Sequence, residues 1–133
     1  MLVAVCYGDH QHHDASIEAF LKFAKADAAC AVHSLAEVFA CVTRMPGNHR
    51  MSSAQAMLFL GNVRERLTII ALDEAEYFAG IERFAAVGVV GGTIYDGILA
   101  LCALKAAAET IYTWNLRHFQ RLGADIAGRL STP

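Results

Sequence analysis

Charge is scarce in this sequence of 133 residues. Asp, Glu, Lys and Arg make up 18 % of it and hydrophobic residues 56 %, where roughly 25 % charged is the norm. That balance excludes disorder and predicts buried helices, with a second subunit covering leftover apolar surface. Long apolar runs are missing as well, since none reaches the ~18 residues needed to cross a bilayer. The opening MLVAVCY has neither the basic flank nor the length of a signal peptide. Cysteine pairs are absent: Cys6, Cys30, Cys41 and Cys102 stand apart with no C-x-x-C, and they read as reduced core residues of a cytoplasmic protein. The formal charge is only −2, so no global basic field advertises nucleic acid and any such contact must be local. Neither G-x-x-x-x-G-K-[ST] nor G-x-S-x-G occurs, which argues against a P-loop enzyme and a serine hydrolase. With no repeat, low-complexity stretch or linker, the expectation is one domain over residues 1–133.

The hydrophobic pattern alternates between strand and helix. Strands are predicted at LVAVCY (2–7), ACAVHS (29–34), LTIIAL (67–72), TIYTW (110–114) and, at the edge, ADI (124–126). Helices are predicted over 16–26, 35–44, 52–66, 73–87, 93–109 and 116–123. Such alternation means α/β, in three α/β/α layers around a central, mostly parallel sheet.

One helix poses a question. GGTIYDGILA (91–100) opens a run that stays apolar to Leu104, yet it carries Asp96 in its first turn. Thr93-x-x-Asp96 has capping-box spacing, as does Ser34-x-x-Glu37, and Glu76 follows Asp73 in the same way. A helix macrodipole favours an acid there by roughly 0.3–1 kcal/mol. Glu37 and Asp96 stand out from this explanation because each opens a helix near a strand's carboxyl end or a glycine turn, the edge where open parallel sheets bind ligands. Glu37 also lies off its helix's apolar stripe, on the side of Cys41 and Arg44. If both helices flank one crevice, the acids converge, and paired carboxylates call for a hard cation such as Mg²⁺ or Mn²⁺. That cation would orient water and phosphate for phosphodiester cleavage.

LVAVCYGDHQHHDASIEAFLKF, HSLAEVFACVTR and GGTIYDGILALCALKAAAETIYTWNLRHF together resemble the PIN-domain family, and within it the toxins of VapBC type II toxin–antitoxin systems. The resemblance covers nearly the whole chain and is most specific around Asp96 and IYTWNLRHF. It implies a Mg²⁺- or Mn²⁺-dependent endoribonuclease that dimerises and is held inactive by a cognate antitoxin. Glu37 matches the family's helix-borne glutamate, Asp96 the aspartate opening its long central helix, and Asn115 a position where many members carry a further aspartate, the nearby alternative position, before Phe119, being His118. Glu37 and Asp96 would then ligate the metal, Asn115 would do so directly or through water, and Arg117 and Arg121 would seat the RNA backbone.

The sequence also departs from that pattern. The family's first strand ends in an aspartate, typically D-x-N before apolar residues like these, and that aspartate would lie ahead of Met1. The first strand is thus truncated. Either the recorded start is late or the copy has decayed and is inactive, and the ordered pattern of the rest favours a late start. The alternative function is a PIN-like binding module without catalysis that still pairs with an antitoxin. Asp9-His10-Gln11-His12-His13 reads as a polar loop, for no structural-zinc spacing follows it. Met51, Met57, Leu58, Phe59 and Leu60 suit either a partner groove or the core.

Overall fold

The computed structural model describes residues 1 to 133. It is mixed α/β and mostly helical, and it divides into two compact units, Met1–Ile69 with Pro133 and Ile70–Thr132. No helix is long and apolar enough to cross a membrane.

The first unit opens with α1 (Leu2–Cys6), where a strand was expected. A short apolar run without alternation satisfies either element, so tertiary burial decides. As a helix it turns Leu2 and Val5 into one core cluster with Phe20, Val38, Val42, Leu60 and Val63. Burial pushes the Cys6 thiol up to about 12, so it stays protonated at neutral pH. α2 (His13–Lys22) begins three residues early, after a turn in which His13 N–H donates to the His10 carbonyl at 2.8 Å. β1 (Ala29–Ala31) leads directly into α3 (Val32–Arg44). Because the extended cap is Ala31, Ser34 lies inside the helix and the expected Ser34–Glu37 capping box does not form.

α4 (Ser53–Arg66) starts on a complete capping box: Gln55 N–H donates to Ser52 Oγ at 3.2 Å, and Ser52 N–H to Gln55 Oε1 at 2.8 Å. Its buried stripe is Ala56, Leu60 and Val63, spaced for one helical face. That stripe divides the apolar group read from the sequence. Leu60 belongs to the core and Met51 and Phe59 pack on it, while Met57 and Leu58 are 58 % and 72 % exposed. β2 (Thr68–Ile70) pairs with β1.

The second unit is built on two helices, α5 (Glu74–Ala86) and α6 (Thr93–Lys105). Asp73 caps α5 as the sequence suggested, exchanging two 2.8 Å bonds with Glu76. The contacts between α5 and α6 step every four residues in opposite directions: Glu76 with Lys105, Gly80 with Leu101, Phe84 with Gly97. The helices are therefore antiparallel neighbours with glycine at two of the three rungs. Predicted to 109, α6 stops at Lys105 because Ala107 turns left-handed at φ 52 and Ala108 N–H reaches back to the Ala103 carbonyl at 3.0 Å.

β3 (Ile111–Tyr112) runs parallel to β4 (Leu130–Ser131), pairing Ile111 with Leu130. Between them lie α7 (Leu116–Phe119), a 3₁₀ turn (Gln120–Leu122) and α8 (Ala124–Ala127). The predicted edge strand ADI is thus helical. Gly123, at φ 134, turns the chain so that Ile126 and Ala127 N–H both donate to its carbonyl, which buries Ile126 completely. The strands form two two-stranded pairs, where one central sheet was expected.

Two surface ion pairs tie α5 down. Lys105 Nζ donates to Glu76 Oε2 at 2.6 Å, and Arg83 Nη2 to Asp125 at 2.7 and 2.9 Å. The Lys105 ammonium, then the Asp73 N–H, hold the Glu76 carboxyl below its usual 4.5; the Arg83 guanidinium likewise holds Asp125 below 3.8. A carboxyl more acidic in the folded than the unfolded chain makes proton uptake favour unfolding. The stability from these pairs is complete above about pH 5 and fades as pH falls through the lowered folded values. Solvent screening keeps it modest. We expect Glu76→Gln to flatten the fall in urea-unfolding free energy on acidification below about pH 5. A slope identical to that of the unaltered protein would show that the Lys105 contact has no weight in solution.

Candidate functional site

The glycine turn ahead of α6 uses left-handed backbone at Gly88 (φ 79) and Gly91 (φ 61). Gly92 caps the helix, Thr93 is its first residue, and no side chain caps it. Thr93 and Asp96 therefore do not form the capping box that their spacing allows. Asp96 is instead engaged from the other side of this unit. His118 Nδ1 lies 3.0 Å from its Oδ2, and Asn115 Nδ2 donates to the same oxygen at 3.3 Å.

Local structure explains this convergence. Asn115 caps α7, and its own N–H donates to Thr113 Oγ1 at 3.0 Å, with Thr113 buried. The Asn115 carbonyl accepts the first bonds of α7, from His118 and Phe119 N–H at 3.2 and 3.4 Å. Its side chain makes no cap and reaches Asp96. Phe119, 4 % exposed, anchors the inner side of the helix in the cluster of Phe84, Ala100, Leu122 and Ile126. With Phe119 inward, His118 reaches Asp96 and remains 52 % exposed, whereas the Asp96 side chain is 21 % exposed.

Asp96 is asymmetric. Both of these hydrogen bonds fall on its Oδ2. No family model matches this chain, and no curated protein matches it. The chemistry of the site therefore rests on its own residues.

Of the residues singled out in the sequence, Asp96 and Asn115 are brought together. Arg117 and Arg121 are exposed, on α7 and on the 3₁₀ turn after it. Glu37 is exposed in the middle of α3 in the first unit, off the stripe of Val38 and Val42 as expected. His118 stood out through the resemblance alone, as the alternative to Asn115; its bond to Asp96 spans 22 residues, beyond the reach of any spacing rule. At the His-rich loop, Asp9 Oδ2 lies 3.6 Å from Nε2 of His49, which comes from the Gly47–His49 turn, and the His10 and His12 rings are 5.6 Å apart. No group of three or more His, Cys, Asp or Glu side chains is arranged to hold a metal ion.

Mg²⁺ does not require such a cage. It keeps several waters and commonly takes one or two carboxylates plus substrate phosphate. Asp96 supplies one such carboxylate, and the Asn115 amide beside it carries a further hard oxygen.

Proposed function

We propose that this chain is a PIN-type endoribonuclease dependent on Mg²⁺ or Mn²⁺, the toxin half of a type II toxin–antitoxin pair. The observation that carries the reading is the engagement of Asp96 by Asn115 and His118 in place of a helix cap. An acid with a purely local role would satisfy its own helix terminus. This one is held by side chains 19 and 22 residues away, at the positions where the family resemblance puts chemistry.

In this reading Asp96 would hold the cation, and Glu37 keeps only the role the resemblance gives it. The chemistry such a cation supplies, when bound, is a more acidic water directed at phosphorus. Asn115 orients Asp96, and Arg117 and Arg121 hold phosphate oxygens of the RNA backbone. The three-layer fold, a homodimer and a cytoplasmic setting belong to the same reading. So does an antitoxin, for which Met57 and Leu58 on α4 offer exposed apolar surface.

The test is cleavage of RNA and DNA oligonucleotides side by side with Mg²⁺, Mn²⁺ or EDTA. RNA cut only with metal is the expected result. DNA cut equally well would remove the ribonuclease assignment. No cleavage of either would favour the second reading, a PIN-like module that binds an antitoxin without catalysis. That reading draws on the lack of any group of three metal-ligating side chains.

A further inference from the structure

We propose that the cleft over Gly80, between α5 and α6, binds a small carboxylate with a short apolar chain, its charged end at Arg83. The inference is independent of the nuclease reading and of the cluster around Asp96.

The two helices leave this space because of what they place at its centre. Glu76, Ala79, Gly80 and Arg83 recur at helical spacing on one side of α5, and Leu101 and Lys105 stand one turn apart on α6. Between them Ala79 and Gly80 contribute a single methyl group, so α5 does not fill the middle. Together with Leu72, just ahead of the Asp73 cap, these residues line a cavity of about 270 Å³. Sites for drug-sized molecules run to roughly 300–1,000 Å³, so a ligand here is small.

The floor is apolar and the charges stand at the ends. Lys105 and Glu76 neutralise each other at one end. At the other, Arg83 lines the cavity while its partner Asp125 does not. The lining thus holds two cations and one anion, an excess of one positive charge. Asp125 is bonded through Nη2, and a guanidinium carries donors on two further nitrogens, in a fork that fits a carboxylate. From Arg83 back to Glu76 is two helical turns, about 10 Å, which sets the length of chain that can lie on the floor. A single negative charge matches the excess, whereas a phosphate dianion exceeds it.

Octanoate is the probe, followed by amide NMR shifts of the full chain. Saturable shifts confined to Leu72, Ala79, Gly80, Leu101 and their neighbours are expected. Butanoate should bind more weakly by roughly 2- to 4-fold per methylene lost. Octanamide, alike in shape but uncharged, should bind about 10-fold more weakly, and octyl phosphate no better than octanoate. Two variants whose melting curves match the original then locate the site. Ala79→Leu, at an exposed position that lines the cleft, should abolish saturable binding. Arg83→Gln should weaken octanoate about 10-fold and leave octanamide unchanged. Octanoate bound equally well by both variants, or octanamide bound as tightly as octanoate, would overturn the proposal. So would tighter binding of octyl phosphate, the absence of saturable shifts, or shifts as large at the exposed Met57 and Leu58.

Discussion

On the proposed nuclease reading, Asp96→Asn is expected to lower metal-dependent RNA cleavage by about 10²-fold or more, the scale on which removing one charge-stabilising group acts at a reaction centre, while the protein stays folded. The substitution is conservative in shape: an amide oxygen still accepts from His118 and Asn115. What disappears is the negative charge, and a hard cation discriminates strongly between a carboxylate and an amide. The structural penalty is small by comparison. An acid in the first turn of α6 is worth roughly 0.3–1 kcal/mol against the helix dipole, and the exposed contact with the His118 imidazole adds about as little. A melting temperature within about 5 °C of the original, together with lost cleavage, is therefore the expected pair of results. Cleavage that survives Asp96→Asn would remove Asp96 from the chemistry altogether.

The largest effect on stability is expected where α6 crosses α5. Phe84 is fully buried, and a Cβ added at Gly97 would lie 2.6 Å from Phe84 Cε2 and 2.7 Å from Cδ2. An aromatic ring enclosed by Ala100, Phe119, Leu122 and Ile126 has nowhere to turn. Gly97→Ala should destabilise by about 1–3 kcal/mol through overpacking, even though alanine favours the helix by roughly 1 kcal/mol. Phe84→Ala should cost about 3–5 kcal/mol through the void it leaves. Because the added methyl group enters that void, the double variant should lose less than the two single losses combined, by about 0.5–3 kcal/mol. Urea unfolding of the four proteins gives the cycle. Strict additivity would mean that the ring and the glycine do not share this space. Gly80 provides the contrast. Its Cβ would meet only Leu101 Cδ1 at close range, the end of a flexible, half-buried side chain, so Gly80→Ala should be much better tolerated.

Local signals in the sequence were reliable where the structure also satisfies them locally. Ser52 and Asp73 start α4 and α5 with complete capping boxes, and each needs only residues three positions apart. Thr93 and Ser34 have similar spacing and do nothing of the kind. The backbone before Val32 is already extended at Ala31, which moves the start of α3 ahead of Ser34, and tertiary partners take Asp96 away from its own helix end. LVAVCY and ADI failed for a related reason. Both are too short for their periodicity to decide, and both became helical because that geometry buries Leu2 with Val5, and Ile126 alone. Asn115 was singled out only by the family resemblance, and its hydrogen bond to Asp96 could not be read from spacing. Glu37 was correctly placed away from the buried stripe of α3, although its helix starts three residues earlier than expected.

The rungs between α5 and α6 bear on how this part of the molecule moves. Charge clamps one end at Glu76 and Lys105, and close contact locks the other at Phe84 and Gly97. A beam pinned at both ends gives little, so the turn bearing Asp96 sits on stiff ground. The compliant part is the four-residue α7, which enters the core through a single buried ring. Thermal breathing at the cluster then belongs to His118 and Asn115, the holders, more than to the carboxylate they hold.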